Sequence, residues 1–213
     1  MPFRGFYVVV PPEYRRLGCL PPEQFVPQYL ESRGEPHYVG LLSAARYHGA
    51  GHQAAQVFQV VVGRPRRSVR CGRVRATFLV RKKVRDVPTV DRKTPRGSIR
   101  VSTPEATVVD LVGFPHQAGG LDNVATIIGE LDGTLRSGRL VRAAALAPVT
   151  WAQRLGFLLE RSAVTRAAGS LHRHVHRNAR EYVPLSPRAP IPADAPRDRR
   201  WRLILNVAVE SEA

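Results

Sequence analysis

The chain has 213 residues, 43% of them hydrophobic, and its 33 Lys and Arg residues against 17 Asp and Glu give a formal net charge of +16. This length and apolar content favour a folded protein of one domain, with or without an appendage, and exclude a disordered chain. No apolar run approaches the about 18 residues of a membrane helix, so the sequence predicts a soluble protein with no membrane partner. Its two cysteines lack disulfide or metal-ligand spacing, which suits a reducing cytoplasm.

The N-terminal half is predicted to contain short strands and short helices. A strand over Phe3–Val10 ends at a proline pair, because proline cannot continue a β-ladder. Helices are expected over residues 22–32 and 37–48, where prolines open the first and glycines close both. Strands are then predicted at Gln56–Val62, Arg73–Val80 and Ile99–Val101, with weaker candidates at Val84–Val87 and Val90–Lys93.

The C-terminal half is predicted to be mainly helical. Helices are expected over residues 103–113, 121–133, 137–146, 150–161 and 164–179. Five prolines within residues 184–200 predict an irregular surface segment. Alternating apolar residues in Trp201–Val209 then predict a strand that closes the sheet. The expected fold class is therefore α+β, a mixed β-sheet with a helical C-terminal half.

The junction between these halves carries the most complete local signals in the chain. Ser102 is the expected N-cap of a helix, and Glu105, three residues later, would complete a capping box. Pro104 lies in the first turn, where its missing N–H costs nothing. The sequence therefore predicts that a strand ends and a helix begins at this point.

Charge is distributed unevenly along the chain. Residues 64–100 hold 14 Lys and Arg against two acids, whereas residues 101–135 hold five acids and no Lys or Arg. A cluster of this kind is typical of a surface that binds phosphates or an acidic partner, although positive charge also protects strand edges from aggregation. The residues predicted to form an electrostatic surface for nucleic acid or a partner protein are Arg64, Arg66, Arg67, Arg81, Lys82, Lys83 and Arg85.

Two groups of residues could support catalysis or metal binding. Glu105, Asp110 and Asp122 are the candidate carboxylates for a divalent metal, as a nuclease or nucleotidyl transferase would need. Each also has a simpler interpretation: capping-box partner, helix-surface acid and first-turn acid, respectively. His172 and His176 are four residues apart on a predicted helix, but no third potential ligand lies at a spacing typical of a metal site.

Other chemistry has weaker support. Ser43 with His48 or His52 could be a nucleophile and its base, but no nucleophile elbow accompanies them. The cysteines, Cys19 and Cys71, are far apart in sequence and lack zinc-ligand spacing, so a disulfide scaffold or zinc ribbon is disfavoured. No cofactor is predicted.

Six segments in the same order resemble the AbiEi antitoxin family of abortive-infection toxin–antitoxin systems. The segments are Tyr38–Ala50, Gln56–Val61, Ser102–Thr107, Gly119–Ala125, Gln153–Leu159 and Trp201–Asn206. The resemblance implies an N-terminal winged helix-turn-helix that binds operator DNA, followed by an α/β antitoxin domain. It also implies neutralisation of a nucleotidyltransferase-like toxin that modifies RNA and repression of the antitoxin's own operon.

The resemblance implies a division into two parts. Residues 1–20 correspond to a wing remnant, including Arg4, with a linker, and residues 21–213 to the antitoxin C-terminal domain. The recognition helix would precede Met1, so either the start codon is assigned too late or the chain is a shortened antitoxin. In the shortened form DNA binding would depend on phosphate contacts, which position a protein but do not specify a sequence.

The resulting hypothesis is a non-enzymatic antitoxin whose partners are a nucleotidyltransferase-like toxin and operator DNA. Two alternatives stay open at this point. One is a metal-dependent nuclease or nucleotidyl transferase that uses Glu105, Asp110 and Asp122. The other is a general nucleic-acid-binding protein without a toxin partner.

Overall fold

A computed structural model describes residue 3 and residues 5–51 and 57–210. The chain divides into two compact units, the first made of Met1–Tyr47 and His52–Thr103, the second of His48–Gly51 and Pro104–Ala213. This division falls inside the range 21–213 that was predicted as one domain. The predicted boundary at residue 20 stays a prediction.

A six-stranded mixed sheet forms the first unit, which confirms the predicted sheet type. Its order is β3-β4-β2-β1-β6-β5, with β2 parallel to β4 and β1 parallel to β6. The remaining neighbours are antiparallel. The strands are β1 (His37–Val39), β2 (Phe58–Val62), β3 (Val69–Cys71), β4 (Val74–Val80), β5 (Thr89–Thr94) and β6 (Gly97–Ser102).

Two short helices of the first unit, α1 (Val26–Ser32) and α2 (Leu41–Tyr47), begin later than predicted. Residues Pro22–Gln24 form a separate 3₁₀ turn before α1. Residues 37–39, assigned to a helix from sequence, form the wholly buried β1 instead. The backbone of β1 pairs with β2 on one side and with β6 on the other, so tertiary pairing overrides the local helical pattern.

The predicted N-terminal strand is wrong over most of its length. Only an isolated bridge between Phe3 and Phe6 forms, whereas Tyr7 and Val9 are 76% and 79% exposed. The Phe3 ring stacks on Tyr29, with centroids 3.6 Å apart. Aromatic contacts rather than a ladder therefore hold this segment, and Arg4 lies outside the described residues.

Helices dominate the second unit, as predicted. Its α-helices are α3 (Pro104–Gly113), α4 (Leu121–Glu130), α5 (Ser137–Ala145), α6 (Val149–Arg161) and α7 (Thr165–Asn178). The predicted extension of α4 to residue 133 ends instead in the 3₁₀ turn Asp132–Thr134. The other helix bounds agree with the sequence prediction to within one or two residues.

Two predictions for short strands are wrong. The weak candidate Val84–Val87 contains the 3₁₀ turn Val84–Asp86. Near the C-terminus only β9 (Leu203–Ile204) forms, and it pairs with β7 (Val183–Pro184) and β8 (Arg197–Asp198) in a separate sheet. Arg202 adopts a positive φ of 52°. This conformation interrupts the extended backbone directly before β9, so the strand does not continue toward Trp201.

Candidate nucleic-acid or partner interface

The parallel pairing of β2 with β4 brings two basic loops to one end of the sheet. Val62 and Val80, the last residues of the two strands, lie opposite one another in register, so the chain leaves both strands at the same edge. One loop contains Arg64, Arg66 and Arg67, and the other begins at Arg81. We call residues 63–68 and 81–85 the basic sheet end.

Arg66 is held by an acid rather than presented freely. Its guanidinium donates from Nε to Glu35 Oε2 at 2.6 Å and from Nη2 to Oε1, and it lies 5.4 Å from the centroid of the Tyr29 ring. The hydrogen bond from Arg66 lowers the pKa of Glu35. This fork fixes the first basic loop against the residues that precede β1.

Arg81 is also an internal residue. Its side chain is only 6% exposed, and Nη1 donates to the Tyr38 hydroxyl at 3.2 Å. Its backbone N–H extends the β2–β4 ladder to the Val62 carbonyl at 3.0 Å. Arg81 therefore anchors the second basic loop, and its predicted contact with a partner stays a prediction.

The other predicted residues of this set are exposed. They are Arg64, Arg67, Lys82, Lys83 and Arg85. Lys83 has a φ of 56°, a left-handed conformation that is costly for a residue with a side chain. A cleft of about 450 Å³ opens beside the first loop, lined by Phe3, Glu35 and residues 64–69. Because phosphates bind where several exposed cations converge, this surface is suited to a polyanion.

A second basic feature of the first unit was missed. Strand β3 was not predicted, and it places Arg70 directly opposite Arg75 of β4, both of them exposed. Like charges facing each other across a ladder are destabilising unless an anion screens them. The two-residue loop Gly72-Arg73 between alternating residues was the signal that could have revealed this hairpin.

The three candidate carboxylates of the second unit have separate structural roles. Helix α3 begins at Pro104, so Thr103 rather than Ser102 directly precedes it, and Glu105 Oε1 accepts the Arg136 N–H at 3.1 Å. The predicted capping box is therefore wrong. Within residues 5–51 and 57–210 no group of three His, Cys, Asp or Glu side chains is placed to hold a metal ion.

The two remaining acids differ from one another. Asp110 is 0% exposed, so its interpretation as a helix-surface acid is wrong. Asp122 lies in the first turn of α4, as predicted, and its carboxylate accepts the Glu210 N–H at 2.9 Å. Neither arrangement resembles an open divalent-metal site.

The histidine and serine candidates also occupy structural positions. His172 and His176 have ring centroids 6.1 Å apart, and His172 meets the Trp201 ring edge-on at 5.5 Å. The Ser43 hydroxyl accepts the backbone N–H of Gln59 at 2.9 Å. One of its proposed partners, His52, lies outside the described residues.

Several of the segments that carry the resemblance have identifiable packing roles. The Gln59 side chain accepts the Leu42 N–H at 2.9 Å, which satisfies the start of α2. In the second unit, the Gln153 amide donates to the carbonyls of Glu181, Trp201 and Arg202. These side chains join elements distant in sequence, so they specify the fold rather than a reaction.

In the part of the chain that the structure describes, no helix is long and apolar enough to span a bilayer.

A protein family and a solved structure are similar to this chain. Residues 38–161 match the model of the AbiEi antitoxin C-terminal domain. The crystal structure of the RV2827C protein from Mycobacterium tuberculosis has a similar fold, with a TM-score of 0.60 and 13% sequence identity over 86% of this chain and 67% of that chain. No curated protein matches the chain. Since the family match covers more than half of the sequence, the chain belongs to the AbiEi family, which comprises antitoxins of toxin–antitoxin systems.

Proposed function

We propose that this antitoxin neutralises a nucleotidyltransferase-like toxin and contacts nucleic acid, including its own operator, through the basic sheet end. The observation that carries the nucleic-acid part is the parallel register of Val62 and Val80. It delivers two loops, separate in sequence, to one surface.

Some basic residues at this end of the sheet are engaged within the protein and others are exposed, and this difference supports the proposal. Arg66 and Arg81 are engaged by Glu35 and Tyr38, so they hold the loops in place. Exposed side chains on the same loops, among them Lys82 and Lys83, are available to phosphate oxygens. Contacts of this type give affinity that falls with salt and position the protein on the duplex, so a preference for the operator would have to come from base edges or from duplex shape.

The charge arrangement at β3 and β4 supports the same function. Arg70 and Arg75 repel each other across the ladder, and a phosphate placed between them would relieve that repulsion. The pair Arg70 and Arg75 is therefore a second position at which binding is more favourable for a polyanion than for a neutral partner.

Growth of cells expressing the adjacent gene tests the antitoxin role. Induction of the adjacent gene alone is expected to stop growth, and co-expression of this chain is expected to restore it. A toxic neighbour that this chain fails to rescue would contradict neutralisation by this chain. A harmless neighbour with retained nucleic-acid binding would favour the alternative of a general nucleic-acid-binding protein.

Binding to the upstream DNA tests autorepression separately. Fluorescence anisotropy is expected to show binding to a duplex from the region upstream of the gene, with competition from unlabelled upstream duplex stronger than from a scrambled one. Equal competition by both would show phosphate-only contacts and would contradict operator recognition by this chain.

A further inference from the structure

The two cysteines, far apart in sequence, are neighbours in the first unit. Cys19 is completely buried in the hydrophobic core, and Cys71, at the end of β3, is half-buried and packs against that same core. Both are free thiols. The sequence spacing gave no reason to pair them, because the chain between them runs through α1, α2 and the strands β1, β2 and β3.

A close backbone crossing brings the two cysteines together, and their thiols interact through a hydrogen bond. The N–H of Arg73 donates to the Leu17 carbonyl at 2.8 Å. Gly72 has a φ of 56°, and a Cβ added there would lie 2.2 Å from the Leu17 carbonyl oxygen and 2.9 Å from the Gly18 Cα. The residues adjacent to each cysteine therefore touch through their main chains, which limits how far the thiols can separate.

The environment distinguishes the two sulfur atoms. Burial, with the neighbouring Cys71 thiol as the second cause, raises the pKa of Cys19 to about 12. The thiolate is the form that attacks disulfides, so Cys19 is a slow nucleophile. Cys71 is the thiol that solvent and a small reagent can reach.

From this geometry we propose that Cys19 and Cys71 are a redox-modification site that closes into a reversible intramolecular disulfide on reaction with a low-molecular-weight disulfide. The Cys71 thiolate attacks one sulfur of the reagent, forms a mixed disulfide and releases one thiolate. Cys19 then loses its proton to solvent and attacks the Cys71 sulfur, which releases the second thiolate. The protein loses two electrons and two protons, and the reagent is reduced to two thiols.

Closure would tie the segment that precedes Cys19 to the β3–β4 hairpin. That hairpin carries Arg70, Arg73 and Arg75. The reversible bond would therefore add a covalent restraint to the main-chain crossing that joins these two parts of the first unit.

Treatment of the purified full-length chain with oxidised glutathione tests the proposal. Non-reducing peptide mapping by mass spectrometry is expected to recover a peptide pair linked through Cys19 and Cys71, and dithiothreitol should release it. Cys19→Ser is expected to stop at a glutathione adduct on Cys71, and Cys71→Ser to stay unmodified. A wild-type chain that keeps both thiols free, or ends as a stable adduct without the linked pair, would overturn the proposal.

The pH dependence of closure gives a readout that does not depend on cysteine variants. Because Cys19 must lose a proton, conversion of the adduct to the linked pair should accelerate as the pH is raised from about 7 to about 9. A closure rate that is flat over this range would contradict the assignment of Cys19 as the second, buried thiol.

A matched pair of glycine variants tests the geometry itself. Gly72→Ala pushes the crossing apart, whereas Gly34→Ala also introduces a side chain at positive φ but meets nothing within 4 Å. Closure is expected to slow severalfold in the folded Gly72→Ala chain and to be unchanged in Gly34→Ala. Equal rates in the two variants would show that the crossing does not bring the thiols together.

Discussion

The Gly156–Trp201 contact of the second unit and the Lys82–Lys83 corner of the first unit use their residues in opposite ways. A Cβ at Gly156 would lie 1.9 Å from the Trp201 ring, and Trp201 is completely buried. Lys82 and Lys83 are exposed, and Lys83 adopts a strained left-handed φ. At the first site the absence of a side chain makes room for a buried ring. At the second site a backbone in a costly conformation carries an exposed cation.

This contrast separates the residues that specify the family fold from those proposed to bind a partner. The segments around Gly156 and Trp201 are two of the six that carry the family resemblance, and none of the six falls within residues 64–100. The six segments therefore consist largely of packing residues, whereas the interface was predicted from its charge, although the family match also spans it.

The largest expected effect is at the packing site. Gly156→Ala should destabilise the protein by about 3 kcal/mol, because the added methyl group overlaps the buried Trp201 ring. Gly169→Ala is the matched control, since it lies on α7 with nothing within 4 Å of the added Cβ, and should stabilise by up to about 1 kcal/mol. Urea unfolding midpoints measure both, and similar midpoints for the two variants would contradict the packing interpretation.

The second expected effect is at the Gly18–Gly72 crossing. Gly72→Ala and Gly34→Ala share a cost of about 1–2 kcal/mol for a side chain at positive φ. Only Gly72→Ala adds a collision, with the Leu17 carbonyl, so it should unfold at a clearly lower urea concentration. Coincident unfolding curves would mean that the crossing is looser than the structure shows.

A smaller effect is expected at the Glu35–Arg66 fork. Because Arg66 lowers the pKa of Glu35 in the folded state, the stabilisation is complete above the unfolded pKa of about 4.3 and is lost as the pH falls through the folded value. Glu35→Gln should therefore cost up to about 1 kcal/mol at neutral pH and progressively less in acid. A cost independent of pH between neutrality and acid would show that the ionised carboxylate is not the source.

The smallest stability effect is expected at the strained lysine. Lys83→Gly should stabilise the protein by about 0.5–1 kcal/mol, because glycine adopts the left-handed conformation without steric cost. Lys82→Gly lacks this compensation and should be neutral or destabilising. The same Lys83→Gly chain should bind nucleic acid more weakly, and a gain in both stability and affinity would contradict the proposed role of the charge.

Much of the fold was predictable because its signals are local. The helices of the second unit carry periodic apolar residues and clear ends, so their bounds were predicted closely. The errors fall where long-range pairing decides: residues 37–39 join the sheet between two strands, and Trp201 turns the C-terminal segment onto α6 instead of extending it. Sequence periodicity does not contain these contacts.

The candidate interface was predictable in composition but not in arrangement. The sequence identifies every basic residue, yet it does not show that Arg66 and Arg81 are engaged by Glu35 and Tyr38, which are distant in sequence. Lys82 and Lys83 lie on the same surface and are exposed. The adjacency of Cys19 and Cys71 was missed for the same reason. Both depend on the register of strands that the sequence alone does not pair.

The most direct test of the basic sheet end compares two double variants that lose the same charge. Lys82→Gln/Lys83→Asn keeps a residue tolerant of the left-handed conformation at position 83. Arg92→Gln/Lys93→Gln removes two exposed cations from β5, an edge strand of the same sheet. Affinity for a DNA duplex is measured by fluorescence anisotropy over a series of salt concentrations. The first variant should bind more weakly and its logarithmic salt slope should fall by about 2, while the second keeps the wild-type slope; equal slopes in the two variants would contradict a localised interface.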